Sequence, residues 1–294
     1  MKPNNFSNFN PEKELADQKL EDWKFGALSQ PGIVTIPLGE REFWLPKGEL
    51  QFSQYADYID CATRSPINHL EALMTYGYQK QIFTEENRKW LQDNGYVKEG
   101  KIVLSNRFNA VLSGTTRQGN SLKSPIDSVY RDGVIPKYLL PEENLTFDEY
   151  HDATKITQAM KDLGKEFKKR IQLNYEQVDT KLHLKEANKD DCIGVAIHAY
   201  PAAKNGVYPR TEEQMNHAVL SIKPEYFIFD NYNENNDLND FIKQLAPDYK
   251  FFQTGYRLYI SGQATGTEYD TKVALYKKLI DLLTRWLDLL RKKS

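Results

Sequence analysis

The chain predicts an α+β fold, because a buried helix can be read in its first third and short apolar strands recur in its last. From Ile67 the apolar positions Ile67, Leu70, Leu73 and Met74 recur at three- and four-residue steps, so a buried helix is expected to run to about Tyr78. Ile156 to Gln172 reads as a second, charged helix with Ile156, Met160, Leu163 and Phe167 as its apolar stripe. Strand-length runs follow: Cys192 to Ile197, the segment led by His217, Tyr226 to Phe229, and Gly255 to Ile260. Cys192 falls inside such a run and reads as core.

At 294 residues the chain is long enough to bury a real core, and 40% hydrophobic with 12% aromatic residues suits a folded protein. A net charge of −2 offers no nucleic-acid footprint and no polybasic membrane surface. Met1 to Asn10 is polar and lacks the apolar centre of a signal peptide. No run of about 18 apolar residues exists to span a membrane. These readings lead to an expected cytoplasmic or virion/assembly-associated location. The two cysteines, Cys61 and Cys192, read as free thiols of a reducing compartment, and no Cys/His spacing suggests a metal.

Cys61 precedes the first helix, in Tyr58-Ile59-Asp60-Cys61-Ala62-Thr63-Arg64-Ser65-Pro66. A thiol at a helix N-terminus feels the positive dipole end, and a nearby imidazolium favours its thiolate further. Far downstream come Asn216-His217-Ala218-Val219, then Phe229-Asp230-Asn231, then Gly255-Tyr256-Arg257-Leu258-Tyr259-Ile260. These segments resemble the papain-like cysteine peptidases, which read Asn-His-Ala-Val, Lys-Asn-Ser-Trp and Gly-Tyr-x-x-Ile at three successive strands. The family also carries a glutamate ten residues after its nucleophile, where this chain has Glu71. Leu112-Ser113-Gly114-Thr115 and Gln118-Gly119-Asn120-Ser121 resemble the segments between, so the likeness spans about Leu45 to Ser261.

The resemblance implies a helical half carrying Cys61, an antiparallel β half carrying His217, and a cleft between them. It implies Cys61 as nucleophile, His217 as acid/base and Asn231 as the residue that orients the imidazole. Gln54 would supply the oxyanion-hole amide beside the Cys61 N–H. Gly119 and Asn120 fall where the family binds extended substrate through a Gly-Gly pair, so a polypeptide substrate is implied, with no cofactor and no metal. His69 and His198 read as structural histidines, and His151 and His183 as exposed ones. Asp230 is a rival partner for His217, but alternation along the strand points it to the other face.

Several positions depart from the family. Tyr55 stands six residues before Cys61, where the family has its glutamine, and Gln54 lies seven before. Ala62 and Tyr232-Asn233 stand where tryptophan is usual, and Asn120 replaces a glycine. Pro66 either kinks the first helix or begins it. These departures favour the alternative function: a catalytically degenerate papain-fold structural or assembly protein.

The expected organisation is an N-terminal arm over 1–44, a peptidase-like domain over 45–262 and a C-terminal amphipathic helix within 263–294. Within the arm, Pro11 to Trp23 reads as a short helix and Ile33 to Pro37 as a strand. Its position, across the cleft or on the β half, stays open. Tyr276, Leu279, Ile280, Leu283, Trp286, Leu287 and Leu290 form a wide stripe over 270–291. That stripe fits packing on the chain's own body, or a homo-oligomer or larger assembly.

Overall fold

The computed structural model describes residues 9–19, 33–232 and 241–261. The C-terminal stripe at 270–291 lies outside them. The described helices are α1 (Pro11–Asp17), α2 (Arg41–Trp44), α3 (Cys61–Gln79), α4 (Glu85–Asp93), α5 (Asn106–Leu112), α6 (Lys123–Asp132), α7 (Phe147–Tyr150), α8 (Gln158–Arg170) and α9 (Thr180–Asp190). The strands are β1 (Val97–Lys98), β2 (Lys101–Ile102), β3 (Gln172–Asp179), β4 (Ile193–Ile197), β5 (Val207–Tyr208), β6 (His217–Lys223), β7 (Phe227–Phe229), β8 (Ile242–Leu245) and β9 (Thr254–Ser261).

Helix α3 is the axle of the molecule. Every residue from Cys61 to Thr75 is buried, which a helix tolerates only where its polar side chains find partners. Most of them do so, on both sides. Arg64 Nε donates to Asp60 at 2.8 Å, and Ser65 Oγ donates to the Val219 carbonyl at 2.9 Å. Glu71 Oε1 accepts the Leu104 N–H at 2.6 Å. The helix begins at Cys61 and passes through Pro66. Thr63 and Arg64 both donate their N–H to the Asp60 carbonyl, at 2.8 and 2.9 Å, so the first turn closes ahead of the proline. The helix therefore does not begin at Pro66, and Cys61 keeps its place at the N-terminus.

The β half is a seven-stranded sheet in the order β3-β9-β4-β6-β7-β8-β5, antiparallel except where β8 meets β5. β4 and β6 are buried along nearly their whole length because α3 packs on one face and α9 on the other. Their register sets Ile197 opposite His217 and Val195 opposite Val219. The fold is therefore α+β with a largely antiparallel sheet, and α3 sits between sheet and helical half.

The arm differs in detail from expectation. α1 stops at Asp17. Ile33 to Pro37 forms an isolated bridge instead of a strand, with Val34 N–H donating to the Ile260 carbonyl. His151 is half-buried, its Nε2 meeting the Tyr58 carbonyl at 2.8 Å, whereas His183 is exposed.

Candidate active site

Cys61 is the first residue of α3 and is buried. The backbone N–H of Ala218, on β6, donates to its sulfur at 3.4 Å. That contact ties the start of α3 to the residue next to His217. Burial pushes the thiol well above its ordinary pKa. The Ala218 N–H opposes this, and the negative charges of Asp60, Asp57 and Asp230 add to it.

His217 opens β6 and is fully buried. Its Nε2 lies 2.7 Å from Asp230 Oδ1. An ionised carboxylate only accepts, so this ring nitrogen carries the proton. Burial alone would raise the Asp230 carboxyl, but Lys243 and His217 outweigh it and hold Asp230 well below the usual carboxylate range. Lys243 Nζ sits 3.1 Å away and the Tyr200 hydroxyl donates at 2.7 Å. Asn231 does not face the imidazole. Its Oδ1 accepts from Asn68 on α3 at 2.7 Å, and its Nδ2 donates to the Glu49 carbonyl at 2.8 Å. The alternation that would have turned Asp230 away ends with β7 at Phe229, so it does not govern position 230.

Gln54 is exposed, on a loop tip between Ser53 and Ala56, whose backbones are bonded at 2.8 Å. The amide buried beside the site belongs to Gln51. Gln51 receives through its carbonyl the Tyr58 N–H at 3.0 Å, and its own N–H reaches the Asn231 carbonyl at 3.3 Å. Tyr232 stands edge-on to the imidazole, ring centroids 5.1 Å apart at 69°.

Gly119, with φ 83°, makes a tight turn with Thr116. Only a residue tolerant of the left-handed region suits that place. Asn120 is buried, and its side chain is held by Ser113 and Thr115, each at 3.0 Å. Its backbone carbonyl accepts from the N-terminal arm, taking the Asn10 N–H at 2.9 Å. On the opposite side, Phe9 N–H donates at 3.0 Å to the carbonyl of Asn216, the residue before His217. Phe9 is 3% exposed, packed in one apolar cluster with Cys61, Ala62, Leu122 and Ala218. Beyond it, Glu14 is fully buried, accepting from the Tyr256 hydroxyl at 2.7 Å and the Lys123 N–H at 3.1 Å. The arm thus threads between the helical half and the strand that carries His217.

One group among the described residues has metal-like composition: His69, Asp191 and Cys192, with ligand atoms within 4.8 Å of one another. His69 Nε2 already bonds Asp191 Oδ1 at 3.0 Å, and that oxygen also accepts the Cys192 N–H at 2.7 Å. Burial pushes the Cys192 thiol upward, against the thiolate a metal needs. The group reads as a hydrogen-bonded core cluster, in keeping with structural roles for His69 and Cys192.

No protein-family model and no curated protein matches the chain. Among solved structures, it is similar to xylellain, a cysteine protease from Xylella fastidiosa, with 14% identity and a TM-score of 0.52, over 83% of this chain and 92% of that one. The fold is papain-like. A Carica candamarcensis cysteine protease, solved with E-64, aligns at 11% identity and a TM-score of 0.45 over 76% of this chain and 96% of that one. Asp230 and Tyr232, which both meet the His217 ring, stand two residues apart, as Asn and Trp do in the Lys-Asn-Ser-Trp pattern, whereas the expected partner of the imidazole was Asn231. Gln51 carried no such spacing signal, because the Phe52–Asp57 hairpin that carries it inward is formed by backbone pairing.

Proposed function

We propose that the chain is a papain-like cysteine peptidase held latent by its own N-terminal arm, with Cys61 as nucleophile, His217 as acid/base and Asp230 as the carboxylate that orients the imidazole. The observation that carries this reading is the junction of α3 and β6. The Cys61 sulfur accepts the Ala218 N–H at 3.4 Å while the adjacent His217 is anchored to Asp230 at 2.7 Å.

In the mechanism, the Cys61 thiolate attacks a peptide carbonyl, forming an S–C bond and an oxyanion. His217 gives its proton to the leaving amine as the C–N bond breaks. It then takes a proton from the water that hydrolyses the thioester, and the thiolate is regenerated. Asp230 stabilises the imidazolium in both halves of the cycle. The oxyanion donors are the Cys61 N–H and, in place of the exposed Gln54, the Gln51 amide. An extended polypeptide substrate would use the Asn120 and Asn216 carbonyls that now hold Asn10 and Phe9.

The second reading is a papain-fold assembly protein without catalysis. Its support is the Phe9 side chain buried in the same apolar cluster as Cys61 and a thiol pushed toward its neutral form. Intact-mass labelling with a papain-directed epoxide, from about pH 5 to 8, separates the two. It is run on the full chain, on Cys61→Ala and on Phe9→Asp. Stoichiometric labelling at Cys61 in Phe9→Asp supports the latent peptidase. No epoxide labelling in that variant, while iodoacetamide still reaches Cys61, leaves the assembly reading.

A further inference from the structure

Two residues before Cys61 the backbone enters the left-handed region: Ile59 has φ 55°. β-branched residues avoid that region, so the surroundings must hold Ile59 there. The holder is Asp57. Its Oδ1 accepts the Ile59 N–H at 2.8 Å and the Gln51 amide at 3.3 Å. Its Oδ2 accepts the Tyr232 hydroxyl.

Tyr232 is in turn tied to the imidazole twice. Its ring stands edge-on to His217, and its backbone N–H donates at 3.2 Å to Asp230 Oδ1, the oxygen that holds His217. Phe52 stacks on the Tyr232 ring, centroids 5.9 Å apart. Asp57 therefore reaches both the turn that leads into the nucleophile and the aromatic ring that covers the imidazole.

Electrostatics sharpens the point. Asp57, like Asp60 and Asp230, disfavours the thiolate of Cys61. A carboxylate beside a thiol that must ionise works against catalysis unless its hydrogen bonds are needed.

We infer that Asp57 is a positioning residue for the Cys61–His217 pair, its carboxylate fixing the strained Ile59 turn and the Tyr232 ring at once. The inference takes its functional meaning from the peptidase reading, and its geometry stands apart from that reading. With the hydroxyl of Tyr232 held, the ring keeps one orientation over His217 and shields the bond to Asp230 from water. Without that bond the ring keeps its stacking on Phe52 but loses the restraint at its hydroxyl end, and the setting of the imidazole shifts with it. Asparagine at 57 preserves the arrangement, because its oxygen still accepts the Ile59 N–H and its NH₂ donates to the Tyr232 hydroxyl. Alanine preserves none of it.

The test uses full-length protein and the ring resonances of His217, assigned with His217→Gln. Tyr232→Phe and Asp57→Ala are each expected to shift those resonances in the same sense. The double variant adds nothing further, and Asp57→Asn stays close to wild type. In the Phe9→Asp background, chosen to expel the residue 9 side chain from its apolar cluster, Tyr232→Phe is expected to lower kcat about tenfold with KM changed less than about twofold. Wild-type His217 resonances in Tyr232→Phe overturn the inference, and so do additive shifts in the double variant or loss in Asp57→Asn equal to that in Asp57→Ala. If Asp57→Ala fails to fold, Tyr232→Phe alone decides. Shifted resonances without peptide turnover in the Phe9→Asp parent leave the positioning role intact and remove the peptidase reading. Turnover in the parent with unchanged kcat in Tyr232→Phe does the reverse.

Discussion

His217 Nε2 lies 2.7 Å from Asp230 Oδ1, while Asn231, the next residue along, turns its amide to Asn68 and the Glu49 backbone. The two neighbours thus divide two tasks. Asp230 holds the imidazole, and Asn231 pins the loop after β7 to α3. A carboxylate there also neutralises Lys243, whose side chain is only 9% exposed.

Asp230→Ala should therefore fail in two ways. Loss of the imidazole's partner is expected to lower kcat/KM by on the order of 10² to 10⁴-fold. Leaving Lys243 buried without its counter-charge should cost about 3 kcal/mol of stability. Asn231→Ala should cost about 1–3 kcal/mol, from the stranded Asn68 amide and Glu49 carbonyl, and leave turnover nearly intact. Urea denaturation and peptide hydrolysis in the Phe9→Asp background measure both. The opposite pattern of turnover would return the orienting role to Asn231.

The arm gives a second prediction. Burying Phe9 in the apolar cluster that includes Cys61 and Ala218 stabilises the arm's position, and a buried Phe→Ala truncation costs about 3 kcal/mol. Phe9→Ala should then raise the rate of iodoacetamide modification at Cys61 by about a hundredfold, since about 1.4 kcal/mol is a factor of ten. Mass spectrometry of the Cys61 peptide reads this directly. An unchanged rate would mean that Phe9 does not control access to the thiol.

Much of this site could be read from the residues. Local signals fixed the position of Cys61 ahead of a buried helix, Glu71 on that helix, and His217 at the head of a strand, because each lies in a regular element with a period. What failed lies where elements end. Asp230 follows the last residue of β7, so strand alternation said nothing reliable about it. Gln51 enters the site through a hairpin closed by backbone bonds, and no side-chain pattern announces such a turn. Phe9 reaches the cleft through contacts with Asn120 and Asn216, more than a hundred positions away. Composition alone does not say which of the arm's several aromatic residues is buried, or where.

The buried ion cluster behind α3 predicts an acid-sensitive stability. Burial would raise Glu142, but Arg64 and Lys137 overcome it and bring its carboxyl down to about 2. A carboxyl lowered from its ordinary 4.5 contributes stability above that pH and loses it as pH falls toward 2. Glu142→Gln should be less stable than wild type at neutral pH, with the gap closing below about pH 4. A gap that stays constant down to pH 2.5, followed by urea denaturation, would mean that Glu142 is not ionised in the fold.

Glu71 should behave with the opposite sign. It is buried on α3, and burial, reinforced by the charge of Glu49, holds its carboxyl well above 4.5 despite the Leu104 N–H on Oε1. A raised carboxyl binds its proton more tightly in the folded chain. Its stabilising contribution is complete below 4.5 and fades as pH rises toward the folded value. Glu71→Gln keeps an oxygen for the Leu104 N–H and removes the ionisation. The variant should match wild type near pH 5 and exceed it near pH 8, by an increment that grows with pH. Paired urea denaturation curves at the two pH values test this. Equal stability of Glu71→Gln and wild type at both pH values would show that the Glu71 carboxyl is not raised. A variant that loses stability at pH 8 would mean that Glu71 is ionised and paired in the folded protein.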